Sequence, residues 1–167
     1  MTVLIINIAI AILLLSCSAF FSASETALFS IPRERILFYQ KDKKYQWLYL
    51  LLKNGQRTLL LILLGNLFVN ITLAGLIDNI LGVLLLDNST LVSLGIATVL
   101  IIVFGEMLPK NIALKNNEAI AVSISPFLYH LEVVATPVLK LIQNVNSFFL
   151  NLFKSRLRRP SPFITIE

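Results

Sequence analysis

Charge is what this chain has least of. Between Met1 and Arg33 the only charged side chain is Glu25, and there is none from Thr58 to Ile77 or from Asn88 to Gly105. Asp, Glu, Lys and Arg make up 14% of the 167 residues, whereas ordinary soluble domains hold roughly 25%. A soluble fold of this length could bury a core, but it could not hide a composition that is 57% hydrophobic. The bilayer is the implied solvent. Cysteine is nearly absent: Cys17 stands alone, which excludes a disulfide within the chain and leaves the redox compartment unread. In an apolar run it reads as a small packing residue. With His130 the one histidine, soft donors are too few for a zinc or copper centre. There is no His-Glu-x-x-His, no phosphate loop and no Gly-x-Ser-x-Gly. An enzyme is therefore not expected, and an intramembrane hydrolase acting through Ser22 or Ser24 lacks a partnered histidine. The basic, aromatic-interleaved stripe of a nucleic-acid binder is missing too.

What is present is a set of long apolar runs. Three read as membrane spans, at about 3–28, 58–82 and 91–108, each near the ~20 residues a bilayer requires. No Lys or Arg precedes the first run, so it is expected to be a retained helix rather than a secretory signal. The 14 Lys and Arg residues fall between spans one and two or after span three. The positive-inside rule then places the N-terminus outside and the C-terminus in the cytoplasm, as in a multi-pass protein of the cell membrane. Pro32 ends the first helix. Residues 33–53 mix basic and apolar side chains and read as a cytoplasmic juxtamembrane helical hairpin, with Tyr45, Trp47 and Tyr49 at the interface. Residues 118–153 are apolar but carry Pro126, His130, Glu132, Pro137 and Lys140. A helix lying along the cytoplasmic interface costs less there than a fourth crossing. Residues 154–167 read as a linker toward a further cytoplasmic domain. The expected fold is thus an all-α membrane protein: a transport domain over 1–153 with three spans, a hairpin and a C-terminal interfacial belt helix.

Polar side chains inside hydrocarbon are costly and mark ion or substrate paths. Ser18 and Ser22 lie one helical turn apart on span one, and Asn66 and Asn70 repeat that spacing on span two. Span three ends in Gly105-Glu106-Met107-Leu108-Pro109-Lys110, where Glu106 supplies one negative charge. Pro109 frees a backbone carbonyl, and non-helical backbone at this depth is tolerated only where it is buried or lines a cavity. Oxygens presented in this way suit a hard cation such as Mg²⁺. The competing reading is structural: serines bonded back to their own helix and amides that glue helices together. Glu25 is open to pairing with Arg33 or Lys110.

Three motifs in this order, Phe21-Ser22-Ala23-Ser24-Glu25-Thr26-Ala27-Leu28, then Gly65-Asn66 with Asn70, then Phe104-Gly105-Glu106-Met107-Leu108-Pro109-Lys110, closely resemble the transmembrane domain of the cyclin M/CorC family of magnesium transporters. The resemblance covers nearly the whole chain. It implies a homodimer, a following cytoplasmic CBS-pair domain, and Mg²⁺ export in exchange for Na⁺. It further implies an ion held in an inward-facing cavity by Ser18, Ser22, Asn66, the carbonyl of Gly105 and Glu106, with Asn70 as a further candidate. A non-transporting alternative is a Mg²⁺-sensing or membrane-anchoring module for the cytoplasmic domain.

Overall fold

A computed structural model describes residues 1–40, 42–85 and 90–154, and no strand occurs among them. Helix α1 (Thr2–Phe29) is followed by two short helices, α2 (Arg33–Tyr39) and α3 (Gln46–Lys53), joined through a 3₁₀ turn at Lys43–Tyr45. Asp42 caps that turn by accepting a hydrogen bond from the backbone N–H of Lys44 at 2.9 Å. Helix α4 (Gly55–Leu85) precedes α5 (Thr90–Leu100), which passes without a break into a π-helical segment at Ile101–Met107 and then α6 (Leu108–Lys115). Helix α7 (Asn117–Lys154) closes the chain. Asp87–Ser89 and the expected linker residues 155–167 lie outside the described residues.

Among the described residues, four stretches are long and apolar enough to cross a membrane: Thr2–Phe29, Gly55–Val83, Leu91–Lys115 and Asn117–Val145. That is one more than the three expected spans, because α7 runs on through both Pro126 and Pro137. The third stretch likewise continues past Pro109, which follows directly on the π-helical segment. At 28 residues α1 is about 42 Å long, enough to span the hydrocarbon with some tilt. Large apolar side chains face outward along its length and along α4 and α5, among them Val3, Ile12, Phe68, Ile71, Leu94 and Val99. Only a lipid environment makes that surface tolerable.

Helix α1 is the hub, packing on α4, on the π-helical segment and α6, and on α7. Phe21 of α1 packs directly over Gly65 of α4, where a Cβ would stand 2.6 Å from Cζ of Phe21. The buried apolar side chains form two clusters. The larger lies toward the α2–α3 end and includes Ala27, Leu28, Tyr39, Leu48, Leu51, Ile62, Ala113 and Leu128. The smaller lies toward the Met1 end around Leu73, Ile77 and Ala97. Along α1 and α4, Ser18, Asn66 and Asn70 fall between the two.

Glu132 counted in sequence against burying α7, yet it is one of the few buried charged side chains. Its carboxylate accepts a hydrogen bond from the Thr58 hydroxyl at 2.8 Å. Arg57 Nε lies 3.1 Å from its other oxygen, off the hydrogen-bonding direction, so that contact is a charge pair. Arg57 also donates through Nη2 to the Thr136 hydroxyl and the Glu132 carbonyl. The buried charge therefore carries its own countercharge and donors, which a buried ion needs.

Candidate functional site

The serine, asparagine and glutamate positions singled out in sequence meet in one place. Ser18 and Ser22 are fully buried on α1, on the face turned to α4 and the π-helical segment. The Ser18 hydroxyl lies 2.7 Å from Asn70 Oδ1 and 3.1 Å from Asn66 Oδ1. The Asn70 amide donates to Glu106 Oε1 at 3.3 Å. The Ser22 hydroxyl reaches the backbone carbonyl of Glu106 at 3.5 Å. Gly105 is buried directly against Ser18: a Cβ there would stand 2.7 Å from Ser18 Oγ. Position 105 therefore admits only glycine at this helix spacing.

Local backbone explains how Gly105 and Glu106 both take part. The π-helical segment packs an extra residue into each turn, a feature often found at functional sites. At its end the Leu108 N–H reaches back to the Val103 carbonyl, five residues earlier. Pro109 follows and has no N–H to offer the Gly105 carbonyl. The sequence marked this place through Gly and Pro but gave no sign of the widened helix.

Convergence of polar groups sets the chemistry. Ser18 Oγ lies within hydrogen-bond reach of the side-chain amides of both Asn66 and Asn70, so a hydroxyl and two amides from two helices meet at one point. Glu106 is half-buried, its carboxylate meets the neutral Asn70 amide, and no Lys or Arg among the described residues pairs with it. A layer rich in acceptors and bearing one unpaired negative charge suits a small hard cation. No three His, Cys, Asp or Glu side chains come together among the described residues, so a softer metal finds no ligand set.

The neighbouring groups are otherwise engaged. Ser24 is buried but turns back to the Phe20 carbonyl at 2.7 Å, the structural reading of a helix serine. Glu25, with Arg33 and Lys110 as sequence candidates, pairs with Lys110 at 3.2 Å. That pair stands about one turn beyond Ser22 and Glu106, toward the α2–α3 end. His130 lies apart, its ring near Trp47 and Tyr129 and its Nδ1 2.6 Å from the Pro126 carbonyl. Toward the Met1 end, beyond Leu15 and Leu73, there is a wholly apolar cleft of about 330 Å³ that includes Ile8, Ile12, Ile77 and Leu100. The residues missed in sequence are Arg57, Thr58 and Thr136 around Glu132. Their link spans some 75 positions, and no local pattern announces it.

Over residues 9–167 the chain matches the family described as cyclin M transmembrane N-terminal domain. It is 32% identical over 138 residues to the UPF0053 inner membrane protein YfjD of Escherichia coli (strain K12), covering 81% of this chain and 32% of that protein. It is 29% identical over 161 residues to a UPF0053 protein of Haemophilus influenzae, covering 95% of this chain and 38% of that protein. The chain thus spans only about a third of the length of these curated relatives.

Proposed function

The chain belongs to the cyclin M transmembrane N-terminal domain family, and on that premise we propose that it is a Mg²⁺-transport domain holding its ion between α1, α4 and the π-helical segment. The observation that carries this reading is the convergence of the Ser18 hydroxyl and the Asn66 and Asn70 amides beside Glu106, which no Lys or Arg among the described residues pairs. Ser18, Ser22, Asn66 and Asn70 replace lost water with neutral oxygens. The Gly105 carbonyl adds another, and Glu106 supplies charge. The ion itself is cargo, so binding must be firm enough to strip water and weak enough to release.

Access fits one side better than the other. Toward the Met1 end the wall is apolar and offers a cation no ligand. Toward the α2–α3 end the half-exposed Glu25 and Lys110 give a polar route. With the basic residues placed on the cytoplasmic side, this is an inward-facing arrangement with the N-terminus outside. In this reading α1, α4 and the α5–α6 unit cross the bilayer, α2 and α3 form the juxtamembrane hairpin, and α7 is the belt. A homodimer, a following CBS-pair domain and Mg²⁺ export in exchange for Na⁺ belong to the same proposal. Neutralisation of Glu106 by Na⁺ or H⁺ would reset the site.

A Mg²⁺ titration of the purified chain tests the binding step. Saturable binding should weaken in Ser22→Ala and Asn66→Ala and disappear in Glu106→Gln, with the fold intact by circular dichroism. Flux into liposomes then separates a transporter from a sensor or anchor: binding without Mg²⁺ movement would favour the latter.

A further inference from the structure

The junction of α3 and α4 opens into a polar cavity of about 440 Å³ lined by Lys53, Asn54, Gly55, Gln56, Arg57 and Gln143. The lining offers two cations and three side-chain amides and includes no carboxylate. Glu132 touches Arg57 but is buried and is not part of the wall. Together with Thr136 it holds the guanidinium in place before any ligand arrives, which lowers the ordering cost of binding. No acid among the described residues pairs with Lys53. The cavity therefore keeps a positive charge and several N–H donors for an anion.

Its position narrows the choice of anion. Arg57 is the last charge before the uncharged stretch Thr58–Ile77, so the cavity opens where α4 meets the edge of the hydrocarbon. On α7, around Gln143, the side chains of Val138, Leu141 and Val145 are exposed. A ligand seated here has its charged part against Lys53 and Arg57 and apolar protein surface beside it. We propose that this cavity binds the phosphate of an anionic phospholipid headgroup. A phosphodiester accepts from a fixed guanidinium and an ammonium together, and basic pockets at this depth suit anionic headgroups.

The test uses the full chain in mild detergent and native mass spectrometry, comparing phosphatidylglycerol with phosphatidylcholine of the same acyl chains. Phosphatidylglycerol should be retained the more tightly. Lys53→Ala should weaken it roughly fivefold, the effect of one basic residue at a membrane surface, with phosphatidylcholine unchanged, and Lys53→Arg should restore it. Lys53 lies outside the Glu132 cluster, so these variants keep the fold, and thermal unfolding verifies that. Equal retention of the two lipids, or wild-type preference in Lys53→Ala, would overturn the assignment. Inorganic phosphate displacing phosphatidylglycerol as effectively as soluble short-chain phosphatidylglycerol does would assign the cavity to free phosphate and overturn it as well.

Discussion

Glu106 and Glu132 are both carboxylates on apolar helices, and their surroundings differ in partner and in burial. Glu132 on α7 is met by the Arg57 guanidinium and the Thr58 hydroxyl and is sealed from solvent. Glu106 in the π-helical segment is met by a neutral amide, among hydroxyl and amide oxygens, and is half-buried. One acid carries its countercharge within the chain, while the other meets no Lys or Arg among the described residues. A closed pair fixes how α4 sits on α7 and answers to little else. An open acid responds to whatever cation arrives. Burial alone would have ranked Glu132 as the functional residue; the identity of the neighbours is what turns the proposal to Glu106.

The largest effect should come from exchanging each acid for its amide. Glu106→Gln is expected to abolish Mg²⁺ binding while the melting temperature stays near wild type. Glu132→Gln should lower the melting temperature and leave Mg²⁺ affinity nearly unchanged. Calorimetric titration beside a thermal melt checks both, and loss of Mg²⁺ binding in Glu132→Gln alone would erase the distinction. Next in size is Arg57→Met, which strands the Glu132 charge. Breaking a buried pair in this way costs about 3–5 kcal/mol, and the double variant Arg57→Met with Glu132→Leu should recover most of it in denaturant unfolding.

Gly105→Ala should be milder for the fold and severe for the site. Overpacking of this kind costs about 1–3 kcal/mol, and here the new methyl would press on Ser18 Oγ. Mg²⁺ affinity should therefore fall more than stability does. The smallest effect concerns Tyr39, in the α2–α3 region away from both acids. Burial pushes its phenol above its ordinary value of 10.0, and the charge of Glu118 adds to this. Because the folded state favours the protonated phenol, its contribution is present below about pH 10 and fades as pH rises through the folded value. Melting temperature followed upward from about pH 9 should fall less steeply in Tyr39→Phe than in wild type.

The sequence announced the open acid and hid the closed one. Ser18 with Ser22 and Asn66 with Asn70 repeat at one helical turn, so each helix had to present both members on one face. Gly65 and Gly105 let the backbones close in around them. The helical character of the described residues followed from the apolar runs, and so did the membrane nature of the chain. Two things were not legible. In a soluble helix, a change of pitch shifts the apolar stripe and can be read. At Ile101–Met107 the surroundings are apolar on every side, so the π-helical turn leaves no trace in the pattern. The Arg57–Glu132 pair joins α4 to α7 across long sequence separation, and its effect was to let α7 stay one continuous helix. Glu25 had two candidate cations, and only the packing of α6 on α1 selects Lys110.

The widened turn also bears on how this domain tolerates change over evolutionary time. A helix that already holds a surplus residue can lose one without breaking: a single deletion within Ile101–Met107 would return the coil to its usual pitch. The helical turns on either side would keep their places, while side chains within the segment, Gly105 and Glu106 among them, would turn and shift against α1 and α4. Hydrophobic neighbours forgive such a slide, since lipid is indifferent to which aliphatic side chain it meets. On the proposed function, the ion-holding atoms would not forgive it. Descendants with such a deletion would insert, fold and persist as membrane proteins, their original task gone.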